Sequence, residues 1–77
     1  MKYRAEYSAT GAENGMIGSV PLDAENDEKA KIMAEKEVTT LEEECNKAIK
    51  NRFWHYRFRL TNLIRIIQEE ISEVVPI

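Results

Sequence analysis

The sequence predicts an α+β domain of ββαβ order, a small antiparallel sheet with one long helix packed on one face. Three observations lead there: period-two alternation of apolar and polar residues in "KYRAEYSA" and "WHYRFRLT", a glycine-bearing break after the first, and an apolar stripe at helical spacing through the middle. With 77 residues the chain has apolar material for one core, so residues 1–77 are read as a single domain. Domains of this size bury only roughly 60% of the surface their unfolded chains expose, and many lean on a partner subunit.

Tyr3, Ala5 and Tyr7 alternate with Lys2, Arg4, Glu6 and Ser8, which predicts a strand over residues 2–9 with one buried face. In "TGAENG" that follows, Gly11, Asn14 and Gly15 tolerate turn geometry, so the chain folds back as a hairpin. The returning strand, residues 16–24, sets Val20, Leu22 and Ala24 on one face. Pro21 has no N–H to give to a ladder, which places this strand at the sheet edge.

Asn26 is a good N-cap, and Asp27 and Glu28 put negative charge in the first turn of a helix, where the macrodipole favours it. Ala30, Ala34, Val38, Leu41, Cys45 and Ala48 or Ile49 then form one continuous apolar stripe, giving a helix over residues 26–51. Lys31, Glu35, Glu42, Glu43, Asn46 and Lys50 read as its solvated face, and Lys47, Lys50 and Arg52 complement its C-terminal end.

Trp54, Tyr56, Phe58 and Leu60 alternate with His55, Arg57, Arg59 and Thr61, predicting a third strand over residues 53–67. Leu60, Leu63, Ile64, Ile67, Ile71 and Val74 also fit a helical stripe, so residues 62–75 admit a helix from Asn62 as the alternative. Charge favours the strand, since such a helix would hold Arg65 near its positive end and Glu69, Glu70 and Glu73 near its negative one. Under the strand reading the chain bends at Thr61-Asn62. The tail, residues 68–77, is a short fourth strand or a docking segment, with Pro76 marking an edge or an end. A right-handed crossover from strand two to strand three gives the spatial order 2-1-3.

Eleven basic and fourteen acidic residues give a formal net charge of −3, which argues against a general affinity for nucleic acid or anionic membrane. The charge is divided. Cys45 to Gln68 holds Lys47, Lys50, Arg52, Arg57, Arg59 and Arg65 and no acidic residue, so all fourteen acids lie in the rest of the chain. The absence of a leader-like segment, of a membrane-length apolar run and of a second cysteine leads to the expectation of a cytoplasmic protein.

Catalysis, cofactors and metals are not expected. Cys45 lies on the apolar stripe of the helix, where a thiol is usually inert, and His55 stands beside arginines that favour its neutral form. One Cys and one His do not complete a zinc site, consecutive Glu42-Glu43-Glu44 diverge around a helix rather than converge on an ion, and the three glycines match no phosphate-binding pattern. If the aromatic stripe faces the helix, the opposite face gathers Lys2, Arg4, His55, Arg57 and Arg59, the candidate partner-binding residues. Rings turned inward disfavour base stacking. The bland alternative for Arg57 and Arg59 is exposed pairing with the protein's own acids, Glu6 first.

Leu63, Ile67, Ile71, Val74 and Val75 are the candidate oligomer interface, because both faces of strand three are apolar and one helix covers only one. The sequence therefore reads as a small non-enzymatic protein-binding module, itself a homodimer or higher oligomer. It would act by stoichiometric contact as an inhibitor or adapter, of the kind phages and other mobile elements encode, for example against host defence. The alternatives are a nucleic-acid-associated regulator using the Arg57/Arg59 face and an accessory assembly subunit.

Overall fold

A computed structural model of the chain describes residues 1–11, 15–49 and 55–77. Strands β1 (Lys2–Thr10) and β2 (Gly15–Asp23) are followed by helix α1 (Asp27–Lys47), then strands β3 (Arg57–Gln68) and β4 (Ile71–Val75). The sheet order is β2-β1-β3-β4, every neighbouring pair antiparallel. This is the predicted 2-1-3 core, with the tail added as a fourth strand. Residues 62–75 are strand, not helix, and Glu69 and Glu70 form the turn between β3 and β4.

Pro21 sits where its chemistry allows. Ala24 N–H donates to the Met1 carbonyl and the Met1 amino group to the Ala24 carbonyl, both at 2.9 Å. Counting by twos from that closed pair, Leu22 and Val20 aim their backbone groups at β1, while Asp23, Pro21 and Ser19 aim theirs outward. The N–H that Pro21 lacks would have faced away from the sheet.

The same count fixes the faces. Tyr3, Ala5 and Ala9 point to the helix side, opposite Leu22, Val20 and Met16 of β2 and Arg65, Leu63 and Phe58 of β3. Tyr3 and Leu63 are the largest side chains fully buried in the core, with Ala5, Ala30 and Ala34 at 0% exposure between helix and sheet. Three alanines at the contact allow close approach, and Val38 continues the buried stripe. Beyond it Leu41, Cys45 and Ile49 are half-buried, as the predicted stripe requires. Leu63 and Val75 therefore belong to the core of the monomer and are withdrawn from the candidate oligomer interface.

Helix α1 starts as predicted, with the Asn26 side chain accepting from Lys29 N–H at 2.9 Å. It ends earlier than residue 51. Ile49 N–H bonds the Asn46 carbonyl at 3.1 Å, a tightened last turn, and Ala48 is the C-cap. The expected helix end at 50–51, the strand start at 53–54 with Trp54, the cations Lys50 and Arg52 and the turn residue Asn14 lie outside the described residues. His55 and Tyr56 precede β3 rather than belong to it, because the ladder begins with Arg57 opposite Thr10, the last residue of β1.

Two irregularities bend β3. Glu6 pairs with Asn62 and Tyr7 with Leu60, which leaves Thr61 as an extra residue at the predicted bend. Its hydroxyl donates to the Glu6 carbonyl at 3.0 Å. A second shift, between Ile66 and Gln68, leaves Ile67 without a partner on β4.

Candidate functional site

The sheet face away from α1 carries the sequence-predicted cations, in two groups. Lys2 and Arg4 lie opposite Ile66 and Ile64, while Arg59 and Arg57 lie opposite Ser8 and Thr10. Within each group the spacing along the strand is about 6.7 Å; the groups are separated by four residues of β1, about 13 Å. Glu6 and Asn62 stand between them. His55 is exposed but precedes the ladder, so the sheet does not bring it onto this face.

The pairing weighed as the alternative, Glu6 with Arg57 or Arg59, does not form among the described residues. Glu6 pairs with Arg4 on its own strand, Oε2 to Nε 3.8 Å, with both side chains substantially exposed. Among the described residues, Lys2, Arg57 and Arg59 have no salt-bridge partner. Apolar groups lie among the cations. Ile64, though on the uncovered face, is only 9% exposed, flanked by Arg4 on one side and Val74 on the other and in reach of the methylene stem of the arginine. Ile17 is 88% exposed and Val74 67%.

Aromatic rings lie on the other side of the sheet. Phe58 stacks on Tyr7 with ring centroids 5.5 Å apart. Tyr7 also covers Gly18, where an added methyl would stand 2.5 Å from its hydroxyl oxygen, and the Tyr56 ring lies against Gly11 in the same way.

Side chains of α1 hold the entry to β3, a feature the sequence reading missed. Asn46 Nδ2 donates to the Tyr56 carbonyl and its Oδ1 accepts from Tyr56 N–H, both at 2.8 Å. Glu42 Oε2 accepts from Phe58 N–H at 2.8 Å. These backbone groups point away from β1, along a stretch of β3 that β4 does not reach. The helix thus supplies the hydrogen bonds a further strand would have made, and fixes the segment that leads into Arg57 and Arg59.

A second polar cluster joins the other end of the sheet to the start of the helix. Arg65 donates from Nη1 to Asp27 at 2.8 and 3.0 Å and from Nη2 to Glu73 at 2.6 Å. Tyr3 Oη donates to Asp27 Oδ1 at 2.6 Å. The bond to Asp27, with burial and the negative charge of Asp27 adding to it, raises the Tyr3 pKa above its ordinary value. The bond to Glu73 likewise raises that of Arg65. The cluster ties β1, α1, β3 and β4 together.

Cys45 is a half-buried free thiol, and among the described residues no three His, Cys, Asp or Glu side chains converge as a metal site requires. No helix among them is long and apolar enough to cross a membrane. Comparison of the chain with protein-family models, with curated proteins and with solved structures yields no match.

Proposed function

We propose that this chain is a small cytoplasmic binding module without catalytic chemistry, which acts by occupying an acidic patch on another protein through the uncovered face of its sheet. The observation that carries the reading is the pairing state of that face: Lys2, Arg57 and Arg59 have no salt-bridge partner among the described residues, and the apolar Ile17 and Val74 are exposed beside them. Cations at about 6.7 Å spacing suit pairs of carboxylates, and arginine engages each in two parallel hydrogen bonds. Exposed apolar groups among them add contact area that a phosphate backbone does not use. The rings that a single-stranded nucleic acid would stack upon, Tyr7 and Phe58, lie on the helix side. Binding of this kind serves an inhibitor or an adapter equally well.

The test uses the intact chain and its Arg57→Ala/Arg59→Ala variant as baits in extract from the native host, alongside anisotropy titrations with duplex DNA, single-stranded DNA and RNA at low and moderate salt. The expected result is a protein retained in stoichiometric amount by the wild type and lost from the variant, with no nucleic-acid binding at moderate salt. Tight nucleic-acid binding that falls steeply with salt and disappears in the variant would replace this reading with the regulator.

A further inference from the structure

We infer that two copies of this chain pair through the outer edge of β4, extending the sheet across a two-fold axis into one of eight strands. The phase of the ladder determines which groups are free. Leu63 and Arg65 aim their backbone groups at Val75 and Glu73, so Ser72, Val74 and Pro76 aim theirs outward. Ser72 and Val74 therefore present unpaired N–H and C=O groups, and Pro76 a C=O alone.

The two edges of the sheet are protected unequally. On β2 the proline falls inside the strand, and Gly15 and Gly18 weaken it further. On β4 the proline falls after the last paired residue, the strand carries one charge, and that charge, Glu73, is held against Arg65 at 2.6 Å. The side chains along this edge are apolar and open: Ile71 is 50% exposed, Val74 67% and Ile77 52%. An edge of this kind is a template for another strand.

A second copy fits it in one register better than in its neighbours. Antiparallel pairing centred on Val74 sets Val74 opposite the partner's Val74 and Ile71 opposite the partner's Ile77. Val74 N–H then meets the carbonyl of the partner's Val74, and Ser72 N–H the carbonyl of the partner's Pro76; that proline has no N–H to return, so the Ser72 carbonyl stays hydrated at the end of the ladder. Centring on Glu73 would instead oppose two carboxylates, which is unfavourable.

Charge supports the same register. It carries the partner's Glu69-Glu70 turn to two strand widths, about 9.6 Å, from the edge of β3, toward a depression where the cations Lys31 and Arg59 outnumber the one carboxylate, Glu35. The axis stands normal to the sheet, so both helices lie on one side and both cationic faces on the other. A short strand edge buries less than the about 800 Å² per partner of a standard stable complex, so association is expected on the order of micromolar.

Sedimentation equilibrium from about 1 to 100 μM measures the assembly. The expected result is twice the monomer mass at the upper end for the wild type. Val74→Lys, at an exposed position that leaves the fold intact by circular dichroism, should remain monomeric throughout. In a Cys45→Ser background, Val74→Cys should form a disulfide-linked dimer under mild oxidation and Glu73→Cys should not. A wild type that stays monomeric at about 100 μM, a dimer indifferent to Val74→Lys, or efficient cross-linking at position 73 would overturn the proposal.

Discussion

Replacing Asn46 by alanine asks whether the helix holds the first residues of β3. The substitution removes two hydrogen bonds, from Asn46 Nδ2 and to its Oδ1, both at 2.8 Å and both to the backbone of Tyr56. Each is worth about 0.5–1.5 kcal/mol net, a loss of about 1–3 kcal/mol. Alanine returns about 0.6 kcal/mol through its better helix propensity, leaving a net destabilisation of about 0.5–2.5 kcal/mol. A domain of 77 residues has a stability of about 4–12 kcal/mol, so the variant still folds. Urea denaturation measures the loss, and amide hydrogen exchange locates it. Tyr56 and Phe58 should exchange faster, while Ala5 and Leu63 should slow or quicken only with global stability. Asn46→Asp sharpens the test, because it keeps the acceptor for Tyr56 N–H but sets a carboxylate against the Tyr56 carbonyl. It should destabilise at least as much as alanine. An unchanged denaturation midpoint together with unchanged exchange at Tyr56 would refute the reasoning, and the entry to β3 would then be fixed by the ladder with β1 alone.

Leu63→Ala removes the largest aliphatic side chain at 0% exposure and should cost about 2–5 kcal/mol by urea or thermal unfolding, a large part of the total; a loss below about 1 kcal/mol would mean the core collapses freely around the site. Arg57→Ala/Arg59→Ala should leave the unfolding midpoint nearly unchanged, since both side chains are exposed and exposed charges contribute about 0–1 kcal/mol; marked destabilisation would show a structural task for the pair. Tyr3→Phe tests the Asp27 cluster through pH. A phenol whose pKa is raised in the fold adds stability below the unfolded value near 10.0, lost as pH rises through the folded value. Wild-type stability should therefore fall more steeply than that of Tyr3→Phe above that pH, and parallel curves would deny the coupling.

What the sequence disclosed and what it hid divide by the range of the interaction. The period of Tyr3, Ala5 and Tyr7, the cap at Asn26 and the stripe Ala30, Ala34, Val38 are local, and each appears as read. Pro21 announced an edge, and the structure puts its nitrogen on the outer side of β2. The bend at Thr61-Asn62 is legible for the same reason, since the apolar alternation changes phase there and the bulge is the structural form of that change. Glu42 and Asn46 were assigned to the solvated face because their types are polar. Their partners, Phe58 and Tyr56, are sixteen and ten residues away, and no local pattern distinguishes a polar residue that meets a strand backbone from one that meets water. The argument that one helix leaves strand three half-covered was sound as geometry. It nevertheless counted Leu63 and Val75 among the uncovered residues, because the register that places them under α1 was not yet known.

Arg65 shows how a correct local argument can serve a different element. Its positive charge spoke against a helix beginning at Asn62, and the strand that forms instead carries it to the N-terminus of α1, where the same repulsion would apply. Asp27 resolves the conflict. As the first residue of the helix it satisfies the macrodipole, and its carboxylate also receives Arg65 and Tyr3. The cation is thereby neutralised between Asp27 and Glu73 and removed from the charge available to a partner. The acid-free segment from Cys45 to Gln68 thus overstates the usable positive field. From it, the uncovered face receives Arg57 and Arg59, and β1 contributes Lys2 and Arg4, which belong to the formally acidic remainder of the chain. A partner meets charge by face rather than by segment, so the steering field to test by salt dependence is that of Lys2, Arg57 and Arg59, with Arg4 offset by Glu6 between the two groups.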